Sequence, residues 1–291
     1  MILKNGSKGK EVIKLQEFLG IDSDGHFGKG TEGAVKTWQA NNKLTVDGIV
    51  GPSTWNAMGL ASTDVEESYY ETENCLKIHR HFLPAHEYMT GSNPEYIFLH
   101  HTAGWNNPFR TIDHWGRDSR GRIATEFVLG GQSVKGDDNK YDGVLVQCMP
   151  QGGWGWHLGT GRSDMHQNSV GIEVNNFGWI KDGKTYAGTS ADDLQIVTLD
   201  QPFRGHKTWH RYSDKQIEVL RDWIIWIGER DNIDIRAGLP TLIKTIGVDA
   251  FEYIPEVLRG KCKGLWTHTN VRKDKSDMFP QPELMDMLVS L

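Results

Sequence analysis

Two turns written in nearly the same letters lie 23 residues apart near the start of the chain. Asp24-Gly25-x-x-Gly28-x-x-Thr31-x-x-Ala34 recurs as Asp47-Gly48-x-x-Gly51-x-x-Thr54-x-x-Ala57. An Asp-Gly pair favours a tight turn with positive φ at the glycine, and a threonine shortly after it can open a helix. Between the turns, Ala34, Val35 and Trp38 fall at helical spacing, as do Val12, Leu15, Gln16 and Leu19 ahead of them. So short a repeat leaves room only for a helix beside each turn. Residues 1–59 are therefore expected to form a small three-helix domain built from two turn–helix repeats.

The pattern then changes. Residues 61–74, ASTDVEESYYETEN, hold five acids, no base and few aliphatic side chains, which is the composition of a linker. This reading sets a linker at 60–75 and a second domain at 76–291. The strongest strand of that domain is Tyr96–His100, an apolar run preceded by the turn-like Gly91-Ser92-Asn93-Pro94. Further strands are expected at Thr125–Leu129, Gly143–Met149, Val170–Val174 and Gly264–Thr267. A long helix should begin at Ser213, where Ser-Asp-Lys-Gln makes a capping box ahead of Ile217, Leu220, Trp223, Ile224 and Ile227. Strands interleaved with helices indicate an α/β domain with a mixed central β-sheet flanked by helices.

Charge and cysteine content narrow the function. A formal charge of −6 argues against a generic nucleic-acid binder. No run reaches the roughly 18 apolar residues of a membrane span, so no membrane insertion is expected. The start, MILKNGSKGKEVIKLQ, has no apolar core of the length a secretory signal needs. Synthesis in a cytoplasm, as a monomer, follows as the expectation. Cys75, Cys148 and Cys262 form no CxxC pair, which removes a cysteine-rich zinc site and leaves three free thiols.

With twelve histidines in the chain, a metal site has to be argued. His100 closes the apolar strand, and His268 holds the matching place after the last one. Asp277 follows nine residues later, across a loop rich in Lys and Arg. Two imidazoles and a carboxylate leave a fourth tetrahedral position open, which is the catalytic rather than the structural zinc pattern. His100 and His101 compete for the first place, because neighbours in a strand face opposite sides and spacing does not choose between them. His206 and His210 form a rival pair at i, i+4, expected in a loop before the Ser213 cap, and His79 and His81 a weaker one. Glu173 lies on the apolar strand GIEV, where an unpaired carboxylate is costly to bury. Either a structural ion pair or a general base beside a metal accounts for it. Lys275 is either solvated or aimed at the same place.

The chain also carries resemblances. Leu3, Gly6, Gly9, Val12, Leu15-Gln16, the DGHFG turn, Trp38-Gln39 and VDGIVGPSTW make residues 1–59 similar to the peptidoglycan-binding domain common on wall hydrolases. YIFLHHTAG at Tyr96–Gly104 resembles the opening zinc strand of the N-acetylmuramoyl-L-alanine amidase family, which includes amidase-type phage lysozymes and peptidoglycan recognition proteins. Gly155-Trp156-His157-Leu158-Gly159, Asn168–Glu173, Thr267-His268 and Lys275-Ser276-Asp277 follow in the family's order.

The resemblance implies one zinc ion held by His100, His268 and Asp277. It implies Glu173 as general base, and Lys275 stabilising the oxyanion. His157 is then a substrate or oxyanion contact, or else a core hydrogen-bonding residue, and His101 lines the cleft or orients a neighbour. The bond would be the amide between N-acetylmuramic acid and L-alanine in bacterial peptidoglycan, cut by a phage endolysin released through a holin-type partner. A bacterial autolysin or a non-catalytic peptidoglycan recognition protein are the alternatives.

The pattern departs from the family in three places. Ala124-Thr125-Glu126-Phe127 stands where relatives carry a histidine, so Glu126 either replaces it or faces solvent. Met278-Phe279-Pro280 follows Asp277 without the usual immediate proline. Residues 231–263 form a longer connection, read as a lid, a cleft wall or a packing helix.

Overall fold

A computed structural model of the protein describes residues 2–58 and 69–291, which fall into two compact units, one on each side of the gap. Residues 60–68 of the expected linker lie outside the described residues. No helix among the described residues is long and apolar enough to cross a membrane.

The first unit has three helices, Lys10–Leu19, Lys29–Asn41 and Pro52–Ala57, around Val12, Leu15, Phe27, Val35, Val50 and Trp55. The repeat in the sequence is a repeat of hydrogen bonds. Gln16 Nε2 donates to Asp24 Oδ1 (2.8 Å), to His26 O (3.0 Å) and to Thr31 Oγ1 (3.1 Å), while its Oε1 accepts from Gly25 N (2.9 Å). Gln39, 23 residues on, does the same with Asp47 Oδ1 (2.9 Å), Ile49 O (3.0 Å), Thr54 Oγ1 (3.2 Å) and Gly48 N (2.9 Å). Each turn is thus closed onto the preceding helix by one buried amide. Gly25 and Gly48 have φ of +72° and +74°, the left-handed region that the Asp-Gly pairs forecast. The threonines do not cap, however. The second helix starts at Lys29 with Gly28 as its cap, and Thr31 lies inside it, donating back to His26 O (3.3 Å).

The second unit is built on a seven-stranded sheet. Its strands are β1 (Tyr69–Glu71), β2 (Lys77–Arg80), β3 (Tyr96–His101), β4 (Phe127–Leu129), β5 (Leu145–Gln147), β6 (Ser169–Val174) and β7 (Gly264–Thr267), in the spatial order β1-β2-β5-β4-β6-β3-β7. Strands β4, β6, β3 and β7 run parallel, whereas β1–β2 and β4–β5 are antiparallel, so the sheet is mixed as expected. Tyr69–Glu71, assigned to the linker by composition, is instead an edge strand paired with Lys77–His79. Its acidic tone suits a half-exposed edge.

Side-chain alternation splits the core in two. Phe127, Leu129 and Leu145 face the helix Asp214–Asp231, whose Trp223, Ile224 and Ile227 are fully buried. Val128 and Val146 face the helix Pro108–Trp115 through Ile112. Ser213 caps the long helix through the expected box with Gln216. The 231–263 segment is a packing layer. Leu239, Ile243, Ala250, Phe251 and Val257 are buried in the main core.

Candidate metal centre

Three adjacent parallel strands bring the chemistry to one edge of the sheet. Register pairs His100 of β3 with Glu173 of β6, and Leu99 with Thr267 at the end of β7. His100 and His268 are therefore the next residues out on neighbouring strands, with Glu173 beside His100. His268 opens a four-residue helix, His268–Val271, where a loop had been expected. Asn270 Oδ1 accepts from Thr267 N (2.9 Å), the backward half of a capping box at the start of that helix. Asn270 Nδ2 donates in turn to Ala250 O and Glu252 O (2.8 Å each), so the long 231–263 connection braces the helix that carries His268. Asp277 returns to the cluster because its carbonyl accepts from Thr269 N (3.2 Å).

His100, His268 and Asp277 are all buried and converge as a group able to hold a metal. His100 Nδ1 lies 3.1 Å from His268 Nδ1 and 3.3 Å from Asp277 Oδ2, and His268 Nδ1 lies 2.9 Å from the same oxygen. Zinc bonds of about 2.0–2.1 Å at tetrahedral angles separate their ligand atoms by about 3.3 Å, close to this triangle.

Protonation follows from the outer partners. His268 Nε2 faces Leu158 O at 2.9 Å, and a carbonyl only accepts, so this nitrogen carries the proton. Ser169 Oγ donates to His166 O (3.2 Å), which makes His157 Nε2 (2.9 Å from that Oγ) a donor. His157 Nδ1 is then the acceptor for His100 Nε2 at 3.0 Å. Burial holds both rings neutral, pushing His100 down to about 4 and His157 well below the usual histidine range. With the outer nitrogens bonded in this way, the Nδ1 atoms of His100 and His268 both face one oxygen of Asp277. Three converging acceptors can hold a cation, and two imidazoles with one carboxylate suit zinc.

Glu173 is part of the same edge. Its Oε2 is buried without a hydrogen-bond partner. Burial first, then the Asp277 charge, push its carboxyl well above the ordinary range, and Lys275 pulls it partly back. Lys275 is half-buried two residues before Asp277.

Other expectations need correction. His101 points to the opposite face, buried, its Nδ1 2.8 Å from Tyr212 Oη and its ring against Phe279. Its bond to Tyr212 fits the alternative that it orients a neighbour. Both ring nitrogens of His157 are engaged, by His100 and Ser169, which fits the core hydrogen-bonding alternative for this residue. Glu126 neither replaces a histidine nor meets solvent. It accepts from Arg230 Nη1 (2.8 Å) and Gln147 Nε2 (2.9 Å) in a buried ion pair. His206 and His210 lie on a two-stranded ribbon, Ile196–Phe203 with His206–His210, rather than in a loop. His206 stacks on Trp179, and His210 accepts from Phe177 N (3.1 Å). His81 pairs with Asp113 at 2.8 Å. His166, which the sequence reading passed over, is fully buried at the centre of the supporting bonds.

The family model for N-acetylmuramoyl-L-alanine amidase matches residues 90–277, a span that contains the whole cluster. It takes in well over half of the chain, and the chain belongs to the N-acetylmuramoyl-L-alanine amidase family. A second model, for a putative peptidoglycan binding domain, matches residues 8–58.

An uncharacterised protein of Kitasatospora aureofaciens is 40% identical over 53 residues, 18% of this chain and 45% of that one. The chain thus spans under half the length of this curated relative. Among solved structures, the N-acetylmuramoyl-L-alanine amidase LysC from Clostridium intestinale is similar at 15% identity and a TM-score of 0.38, over 71% of this chain and 91% of that one. A Burkholderia AP3 phage endolysin is 34% identical over 22% of this chain and 27% of its own, with a TM-score of 0.20.

Proposed function

We propose that the chain is a zinc-dependent N-acetylmuramoyl-L-alanine amidase of the phage endolysin type, which hydrolyses the amide between N-acetylmuramic acid and the L-alanine of the stem peptide. The observation that carries this reading is the triangle of His100 Nδ1, His268 Nδ1 and Asp277 Oδ2, three acceptors turned toward one another at 2.9–3.3 Å. These residues would hold one zinc ion. Bound there, the ion supplies Lewis-acid polarisation of the scissile carbonyl and acidifies water.

The chain's own groups do the remaining work. Glu173, in register with His100 and with a raised proton affinity, takes the proton of the attacking water and passes it to the leaving amine. Lys275 places a positive charge where the carbonyl oxygen becomes anionic. His157 and the Leu158 carbonyl orient the two imidazoles.

Residues 8–58 match the peptidoglycan-binding family, which supports bacterial peptidoglycan as the partner of the first unit. In this reading the enzyme works as a monomer on the cell wall, with a holin-type partner opening the membrane on its way. The bond is tested on purified wall. New L-alanine amino termini without new reducing sugars are expected, and reducing sugars in their place would assign a glycosidase.

A further inference from the structure

One buried side chain ties the two imidazole arms of the cluster together. His166 Nε2 faces Thr160 O at 3.4 Å, so its Nδ1 is free to accept, and it does so from two successive backbone amides, His157 N (3.0 Å) and Leu158 N (3.3 Å). Those two residues are the ones that reach the ligands. The His157 ring accepts from His100 Nε2 (3.0 Å), and the Leu158 carbonyl accepts from His268 Nε2 (2.9 Å). His166 closes a second loop through its own carbonyl, which accepts from Ser169 Oγ and thereby fixes the direction of the bond from His157 Nε2 to that hydroxyl (2.9 Å). The ring is fully buried, with Trp156 packed edge-on at a centroid distance of 4.9 Å.

We propose that His166 is a positioning residue for the metal centre, locking the 156–159 turn as a clamp that holds His100 and His268 together in the Nε2–H form. The consequence is a site set before any metal arrives. Both Nδ1 lone pairs already point at the ion's place, so binding does not have to select one ring form from two on each histidine. Outer partners of this kind are worth about 10–100-fold in metal affinity. Ser169 serves the His100 arm alone, because its hydroxyl reaches His157 and not Leu158. The proposal rests on the reading of the cluster as a zinc site, yet its ring-form part is visible without metal.

The experiment uses the full chain, labelled with ¹⁵N-histidine and stripped by a chelator. Long-range ¹⁵N–¹H spectra should show His100 and His268 as Nε2–H rings in the metal-free wild type. His166→Phe keeps the ring volume and removes the acceptor. It should mix the ring forms of both ligands and weaken Zn²⁺ binding, read by competition with a chromophoric chelator, by about 10–100-fold. Ser169→Ala should disturb His100 only, with Ser169→Thr restoring it, and this pair keeps the test alive should His166→Phe fail to fold. Nδ1–H rings in the wild type would overturn the clamp. So would Zn²⁺ affinity within twofold of wild type in a folded His166→Phe, or in Ser169→Ala. A wild type with Nε2–H rings that binds no Zn²⁺ would sink the hydrolase reading while leaving the clamp standing.

Discussion

Gln39→Leu should unfold the first unit and leave the second intact. The side chain is buried, and leucine keeps its approximate volume while removing every polar contact. The two amide N–H groups, which reach the Asp47 carboxylate, Ile49 O and Thr54 Oγ1, disappear, and the Gly48 amide loses its acceptor. The other ends of the network keep partners, since Asp47 still accepts from Ile49 N (2.9 Å) and Ile49 O from Thr54 Oγ1 (3.3 Å). One orphaned buried N–H costs about 1–3 kcal/mol, and each lost bond about 0.5–1.5 kcal/mol, rising to about 3 for the charged one. The sum is about 3–7 kcal/mol. A unit the size of residues 2–58, at roughly 0.05–0.15 kcal/mol per residue, has about 3–9 kcal/mol to lose. Calorimetry should therefore show the low-temperature transition of the full chain lost or sharply lowered. Co-sedimentation with purified wall should fall, and hydrolysis of a soluble muramoyl peptide should persist. A Gln39→Leu chain that sediments normally and melts within about 1 kcal/mol of wild type would refute the argument that the amide closes the repeat.

Acid should weaken the same unit. Asp24 and Asp47 are held below their usual 3.8, first by the amides of His26 and Ile49 and then by Gln16 and Gln39. A depressed carboxyl contributes stability that is whole above its unfolded value and is lost as pH falls through the folded one, so the transition should hold steady above about pH 5 and drop below about pH 4. A transition unmoved by acid would contradict this. Glu126→Ala removes one of the two carboxylates on the buried Arg230 guanidinium, which keeps Asp231, and the lost charge-assisted bonding costs on the order of 2–3 kcal/mol. A loss under 1 kcal/mol, read from urea unfolding of the second unit, would show the pair to be dispensable. Glu173→Gln should keep its zinc and cut turnover on a soluble muramoyl peptide by about 10²-fold or more, and near-normal turnover would remove it as the base.

What the sequence disclosed depended on range. Ser213-Asp-Lys-Gln was legible as a helix start because all its bonds lie within four residues. His100 and His268 were legible as partners because each ends an apolar strand, and parallel register carries both to the same edge. Glu126 was not legible. Its partner Arg230 is 104 residues away, and no local pattern announces a buried ion pair. The His206–His210 ribbon was missed because its strands are half-exposed and lack apolar alternation, so the segment before the Ser213 cap read as a loop. Tyr69–Glu71 read as linker because an edge strand tolerates acids. Gln16 and Gln39 were in view, one in the first helix and both in the wall-binding resemblance, but outside the repeat as it was read. Their shared offset from Asp-Gly could have marked them as the bonded centre, where the threonines were read as caps instead. His166 carries no motif, and only the folded turn shows what it holds.

Metal content tests the central claim most directly. Purified, active wild type, freed of loosely bound ions, should carry about one equivalent of zinc, the single ion that a two-histidine, one-aspartate site takes. His268→Ala and Asp277→Ala should carry none and hydrolyse no wall, with their folds preserved. Fully active protein with no stoichiometric metal, or a His268→Ala chain that keeps both ion and activity, would contradict the account.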